Sequence, residues 1–416
     1  MPYCTDFTRV FRGQPPVVLF PSSTAQVSQI LGYCHQQHLA VVPQGGNTGV
    51  VGGGISVFDE IVLSLSRFNQ IRTFDPISGA LVCDAGCILQ SLDTFLAPHQ
   101  RCMPLDLGAK GTCQIGGNVA THAGGIHFIK FGPLRGSILG LEVVLADGRI
   151  VNALSTAQKD NTGYNVSQWF VGSEGTLGVI TGVAVQTYPQ AQHKSVAMVA
   201  INQVDQLRSV LGLTQQQLLT TQSAFPPRTL PFAQPHPYYV LIEAEGADET
   251  VAQECDNLWA YRELIPSLLA TKMTLAYDLT LPLDQFYSIV EILRQRLQEC
   301  GLYVGPNDHQ SPVELVAGFG HFGDGNVHLL ISIRCAEQQV LECIEPFIYD
   351  WTKHGIGQAK SQYLTRARSP AVVALMKQMK QMLDPTGIMN PYKLLPACQR
   401  RTAGSASEEA FIGGVM

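Results

Sequence analysis

The stretch that most restricts this chain is Pro43-Gln44-Gly45-Gly46-Asn47-Thr48-Gly49, followed by Gly52, Gly53 and Gly54. It ends a short strand-like run, Ala40 to Val42, and its glycines let the backbone turn successive amides toward one point. Such a concave array of N–H groups suits a phosphate. It is not a Walker A loop, because no Gly-Lys-Ser/Thr follows, nor the Rossmann fingerprint, because no helical pattern opens from its last glycine. Taken alone it also reads as an ordinary turn.

Company further along changes that reading. Pro104-Leu105-Asp106 leads through Lys110 into Gly111-Thr112-Cys113-Gln114-Ile115-Gly116-Gly117-Asn118 and on to Thr121. Asp160-Asn161-Thr162-Gly163-Tyr164 follows, and then Gly172-Ser173-Glu174-Gly175-Thr176-Leu177-Gly178, which runs into Val179 and Ile180. Four polar, glycine-dense segments among apolar strands imply one long, phosphate-bearing ligand. At these residues the chain resembles the FAD-dependent oxidoreductases of the vanillyl-alcohol oxidase and p-cresol methylhydroxylase (PCMH/VAO) fold, and within them the D-2-hydroxyglutarate dehydrogenases. The likeness runs from about Arg12 to Pro396.

The resemblance implies an α+β protein: a PCMH/VAO-type FAD-binding domain over 12–189, a shortened α+β substrate cap of the FAD-linked oxidase C-terminal type over 190–350, and a segment, 351–396, that completes the flavin domain. Residues 400–416 are small and polar enough to form a disordered tail. The FAD contacts it implies are Pro43 to Gly49, Pro104, Leu105, Asp106, Gly111, Gly116, Gly117, Asn118, Thr121, Gly172, Glu174, Gly175, Gly178, Val179, Ile180 and Asn390. His122 stands where Asn is usual, and this position alone is poor evidence for a covalent flavin link.

Gly318-Phe319-Gly320-His321-Phe322-Gly323 matches the dinucleotide pattern letter for letter. Val327 to Ile333 nevertheless reads as a strand where that motif requires a helix. The segment is better read as a hairpin that returns His328 beside His321. Two histidines at this spacing are either hydrogen-bonded structural groups or ligands of a divalent ion. The resemblance favours a metal and substrate site, with Zn or Mn on His321 and His328 and with Asn326 beside them. It also implies that His354 takes the substrate hydroxyl proton and that Arg262 grips a substrate carboxylate. Three departures bear on this site: Pro266 replaces a hydroxyl residue, Ala276 a lysine before Tyr277-Asp278, and Lys353 a ligand glutamate before His354. A lysine ammonium cannot replace a carboxylate on a cation.

The expected reaction is oxidation of a D-2-hydroxy acid, foremost D-2-hydroxyglutarate, with electrons leaving to a quinone or an electron-transfer flavoprotein. D-lactate or glycolate oxidation, and a flavin-binding pseudoenzyme, are the alternatives. A homodimer is left open. At 416 residues two domains are expected. A net charge of −6 gives no electrostatic reason for a nucleic-acid partner. No apolar run reaches about 18 residues, so no spanning helix is expected. Eleven scattered cysteines without a Cys-x-x-Cys pair suit free thiols in a reducing compartment. Residues 1–7 lack the sections of a secretory signal, which points to the cytoplasm, or to the mitochondrial matrix if a targeting segment is missing from this chain.

Overall fold

A computed structural model of the chain describes residues 3–203, 217–222, 236–246, 274–305, 308, 310–335, 337–351 and 355–396. Strand β1 (Val18–Leu19) leads to helix α1 (Thr24–Gln36) and β2 (Val41–Gln44). The Ser23 side chain caps α1 by accepting from the Gln26 amide at 3.3 Å, while Gln26 Oε1 accepts from the Ser22 amide at 2.8 Å. The reciprocal bond of a capping box is therefore displaced by one residue. Val27, Leu31 and Cys34 form the buried face of α1.

The chain crosses over from β1 through α1 to β2, but the two strands are not neighbours. Strand β3 (Ile61–Ser64) lies between them and pairs parallel with both. Its Val62 and Leu63 are fully buried, as a central parallel strand requires. Met389 bridges Val41 in parallel from the far side, bringing the C-terminal segment onto this small sheet.

A five-stranded antiparallel sheet stands beside it. Its strands are β4 (Ile71–Phe74), β5 (Ala80–Asp84), β7 (Ile138–Val144), β8 (Ile150–Asn152) and β9 (Val179–Gln186), in the order β4-β5-β9-β7-β8. Between these strands come α2 (Leu89–Leu96), the short strand β6 (Arg101–Cys102), α3 (Ile115–Thr121), α4 (Phe128–Phe131) and α5 (Ser167–Phe170). Strand β10 (Tyr188–Pro189) pairs with β6. The central strand β9 is masked in the sequence by Gly182. A Cβ there would lie 2.8 Å from Arg72 Nη1, so the glycine makes room for Arg72 to reach Asp84 and Glu142.

The second sheet has six antiparallel strands: β11 (His193–Ile201), β12 (Gln217–Gln222), β13 (Tyr238–Gly246), β14 (Thr274–Thr280), β15 (Val313–His321) and β16 (Asn326–Ile333). Their order is β11-β13-β12-β15-β16-β14. Helices α6 (Ser288–Glu299) and α7 (Glu337–Ile348) contribute Ile289, Val290, Leu293, Val340 and Ile344 to its core. Residues 318–323 end β15 and enter the turn of a hairpin, as the strand pattern requires, so the dinucleotide match is accidental.

Helices α8 (Leu364–Ala367) and α9 (Pro370–Leu383) then lead back to the first core, which includes Ile388 and Met389. Lys380 on α9 donates to the Thr176 and Met389 carbonyls, both at 2.7 Å, and to Asp384. Among the described residues no helix is long and apolar enough to cross a membrane. The nine described cysteines are free thiols, five of them buried.

Candidate flavin and substrate site

The glycine loop after β2 is shaped by contact with the loop before α3. A Cβ on Gly46 would lie 2.1 Å from the Thr112 carbonyl oxygen, so the two backbones touch where the sequence places both glycine segments. Gly45 lies beside Gln114, and Gln44 folds back to donate to the Tyr3 and Gly54 carbonyls. Asn47 adopts φ 52° and donates to the Thr5 carbonyl. Thr48 and Gly49 continue the loop, and a Cβ on Gly49 would meet no atom within 4 Å.

Pro104 and Leu105 lead to Asp106, which carries an ion pair from Lys110 at 3.3 Å, and Gly111 follows. Gly116 donates to the Ala85 carbonyl at 2.7 Å and presses on that residue, whereas Gly117 on the next position of α3 faces open space. Thr121 closes α3 by donating to the Gly117 carbonyl. The loop 172–178 docks against the same helix, with Gly172 and Glu174 donating amide bonds to the Val119 and Ala120 carbonyls. Gly172, Glu174 and Gly175 all have positive φ, Gly178 presses on Val143, and Val179 and Ile180 open β9.

Asn390 completes the ring of loops: its Nδ2 donates to Gly53 at 3.0 Å and to the Glu174 carbonyl at 2.7 Å. Three of the four glycine-dense segments, together with the C-terminal segment, thus converge. The fourth does not take this form. Residues 160–164 are exposed, with Asp160 accepting from its own Thr162 and Tyr164 93% exposed. Such an Asx turn closes the segment on itself.

The residues present fit a flavin dinucleotide. Gln44 Oε1, Gln114 Oε1, Asn118 Oδ1 and Asn390 Oδ1 are buried acceptors with no partner among the described residues, and His122 Nε2 is likewise buried and unmatched among them. Buried polar atoms are ordinarily satisfied. Unmatched acceptors beside glycines that face open space suit the hydroxyl and N–H donors of a long polar cofactor. His122 itself caps α3 in the left-handed region, and burial together with the Arg135 charge lowers its pKa, so its imidazole is neutral.

The second sheet brings its own groups to this region. Rings of His321 and His328 lie perpendicular with centroids 5.4 Å apart, and Asn326 stands opposite His321 across the hairpin. His328 Nδ1 is hydrogen-bonded to Asp278, its register partner on β14. Burial pushes the His328 pKa down, but the Asp278 carboxylate outweighs this and holds it above the ordinary value. His321 Nδ1 lies 3.7 Å from Asp324. The tip of this hairpin rests on the first domain: Gly323 has no room for a Cβ beside Ile129 of α4, and Asp324 sits near Gly124.

The expected hairpin does bring the two histidines together, with a carboxylate orienting one of them. Among the described residues, however, no group of three or more His, Cys, Asp or Glu is arranged to hold a metal ion. Nothing in the structure therefore supports the Zn or Mn expected here. Arg262, Pro266, Lys353 and His354 lie outside the described residues. Ala276 lies on β14 two residues before Asp278 and is exposed.

Glu174, expected from sequence as a flavin contact, also ties two segments together, and the buried Lys360 and Lys393 near it were not singled out from sequence. Glu174 accepts from the Ile356 and Gly357 amides at 2.7 and 2.6 Å, tying loop 172–178 to the turn that follows 354. Burial raises its pKa despite those bonds. Lys360 and Lys393, 3% and 2% exposed, both bring positive charge toward Glu174. Burial lowers the pKa of each, with Asp278 and Glu174 opposing at Lys360, and Glu60 and Glu174 opposing at Lys393, which falls to about 8. Asp278, Lys360 and Lys393 are scattered polar residues with no local pattern, and only the tertiary fold gathers them.

Comparison with known proteins agrees with this geometry. Residues 15–154 match a family model for the FAD binding domain, and residues 182–394 match one for the C-terminal domain of FAD linked oxidases. The mitochondrial D-2-hydroxyglutarate dehydrogenase of Rattus norvegicus is 41% identical over 442 residues, covering 94% of this chain and 80% of its own. A protein of Schizosaccharomyces pombe named as a mitochondrial D-lactate dehydrogenase is also 41% identical, covering 93% of this chain and 83% of its own. These names give no support to a cytoplasmic location. Among solved structures, an alkyldihydroxyacetonephosphate synthase superposes with a TM-score of 0.67 over 90% of this chain and 76% of its own. At 15% identity it speaks for the fold alone. The chain belongs to the FAD-linked oxidase family that includes the D-2-hydroxyglutarate dehydrogenases.

Proposed function

We propose that the chain oxidises a D-2-hydroxy acid, foremost D-2-hydroxyglutarate to 2-oxoglutarate, as an FAD-dependent dehydrogenase acting in the mitochondrial matrix. The observation that carries this is 41% identity to a D-2-hydroxyglutarate dehydrogenase across 94% of the chain. The buried, unmatched acceptors of the glycine loops support the cofactor. FAD, when bound, supplies the acceptor for the hydride. The residues of the chain then have defined tasks. Pro43 to Gly49, Pro104 to Asp106, Gly111, Gly116, Gly117, Asn118, Thr121, the residues from Gly172 to Ile180 named above, and Asn390 hold and exclude water from the cofactor. His354 takes the proton from the substrate hydroxyl, Arg262 grips a carboxylate, and Asn326 orients the substrate.

His321 and His328 would hold a divalent ion such as Zn or Mn only weakly, two imidazoles being too few for a closed site. In metal titrations we expect Lys353→Glu to bind at least several-fold more tightly, because it removes a cation and adds a ligand. Equal affinities would refute a metal role at this position. The electron acceptor in this reading is a quinone or an electron-transfer flavoprotein.

Oxidation of D-lactate is the second reading, favoured by the Schizosaccharomyces pombe relative and by the short side chain at Ala276. Steady-state kinetics with both acids separates the two. A kcat/KM for D-2-hydroxyglutarate at least tenfold above that for D-lactate is expected, and the reverse order would transfer the assignment to the shorter acid.

A further inference from the structure

Residues 3–13 form a small hairpin that lies against the glycine loop. The Asp6 amide donates to the Phe11 carbonyl at 3.1 Å and the Gly13 amide to the Cys4 carbonyl at 2.8 Å, while Thr5 and Arg12 pair antiparallel across it. Asp6, 4% exposed, closes the turn by accepting from the Thr8 hydroxyl and the Phe11 amide. Two backbone carbonyls of the hairpin face the loop. Tyr3 accepts from Gln44 Nε2 at 3.1 Å, and Thr5 accepts from Asn47 Nδ2 at 2.7 Å. Further on, the Phe11 ring lies against Gly52, where a Cβ would come 2.6 Å from its Cγ, and Gly13 is pressed on Ser56. The hairpin thus grips both ends of the loop, at 44–47 and at 52–56.

The Gln44 amide shows what that grip does. Its nitrogen faces the Tyr3 and Gly54 carbonyls, which can only accept, so the NH2 end must lie on that side and the oxygen must turn away. Gln44 is 2% exposed, and its Oε1 is a buried acceptor with no partner among the described residues. A Cβ on Gly45, the next residue of the loop, would lie 3.4 Å from Gln114 Oε1, an acceptor unmatched in the same way. Two fixed acceptors flanking one glycine call for donors from outside the chain. The loop supplies little stiffness of its own, glycine being the least restrained residue. Its form comes from the hairpin behind it. That hairpin is lightly held, with Phe7 and Val10 55% and 53% exposed and its backbone bonds closed on themselves, as suits a segment that opens locally.

We propose that this hairpin is a clasp for the cofactor: seated, it orients Gln44 and holds the loop in the form that grips FAD, and lifted, it lets FAD leave. The clasp rests on the flavin site described above and not on the identity of the substrate. Release then needs only a small local opening rather than unfolding of the core beneath the loops, to which none of the described residues 3–13 belongs.

The test loads the full chain with FAD, dilutes it and follows release by the rise in flavin fluorescence, with melting of the flavin-free protein measured alongside. Phe11→Ala removes the ring on Gly52, and Asp6→Ala opens the turn. Each is expected to release FAD about fivefold faster or more. Phe11→Leu should recover most of the loss, and the flavin-free melting temperatures should stay within about 3 °C of the wild type. Gln44→Glu keeps the size of the side chain, but its carboxylate has no donor for either carbonyl. It should speed release as well, and adding Phe11→Ala to it should change little further, because both act through one contact. Unchanged release in both Phe11→Ala and Asp6→Ala overturns the proposal and leaves the flavin site intact. Flavin-free melting temperatures that fall by as much as those of the loaded protein also overturn it and make the hairpin part of the general fold. Full additivity of Gln44→Glu and Phe11→Ala overturns the route through Gln44. A wild type that takes up no FAD removes the clasp and the flavin site together.

Discussion

Gly116 and Gly117 are adjacent on one helix, yet the structure asks different things of them. A side chain on Gly116 would collide with Ala85 Cβ at 2.6 Å, whereas one on Gly117 would meet nothing within 4 Å. Gly116→Val should therefore destabilise the fold by about 1–3 kcal/mol through overpacking. Gly117→Val should leave stability within about 1 kcal/mol, since Val and Gly differ little in helix preference, yet lower flavin occupancy at least tenfold by filling the space the cofactor needs. Denaturant unfolding and the ratio of flavin to protein absorbance check both expectations. Lys393 gives a pH signature. Its pKa falls from 10.5 unfolded to about 8 in the fold, so the unfolded chain binds more protons between those values. Stability of the flavin-free protein should rise with pH across that window. The penalty is full below about 8 and gone above 10.5. Lys393→Met should flatten the slope and raise stability at pH 7, as urea midpoints at pH 7 and 9.5 would show.

At the scale of elements, Glu174 links what the chain keeps far apart. It joins the loop before β9 to the turn at 356–357, and through its carbonyl to Asn390. Glu174→Ala would strand two buried amides, at about 1–3 kcal/mol each. Glu174→Gln keeps an acceptor and should lose less, so melting temperatures should fall in the order wild type, Gln, Ala, with flavin dissociation quickening in parallel. Equal melting temperatures would show that the two amides find water instead. Much of the element pattern was legible from sequence. The helical spacing of Val27, Leu31 and Cys34 and the turn at Asp75 to Gly79 follow from local rules, and the hairpin through Gly325 is found where expected. What escaped was non-local. Strand β3 between β1 and β2 is set by which faces must be buried together, and β9 is hidden by a glycine that serves Arg72 on another strand.

Among the described residues of the whole molecule the two larger hydrophobic cores lie one beneath the glycine loops and one beneath the hairpin of His321 and His328, with a small third cluster at Ile356, Leu364 and Val373. The chain returns from the second to the first at Ile388 and Met389. That return places Asn390 beside the residue 172–178 loop more than 200 positions earlier in sequence, and gives the account its central claim. The loops form one cofactor site, and the sheet facing them presents the substrate. The flavin half of that site was readable because phosphate and flavin binding impose runs of glycine that survive as local pattern. The histidine hairpin was readable in the same way, whereas the pairing of His328 with Asp278 is set by the register of β14 on β16, which no short stretch encodes. The most direct measurement is an absorbance spectrum of the purified, FAD-loaded protein held without oxygen and without any acceptor, before and after addition of D-2-hydroxyglutarate. The account predicts a yellow protein whose flavin band near about 450 nm bleaches within seconds to minutes with the D acid, and stays unchanged with the L acid. A yellow protein that does not bleach with D-2-hydroxyglutarate or D-lactate would contradict the claim and leave a flavin-binding protein without this chemistry.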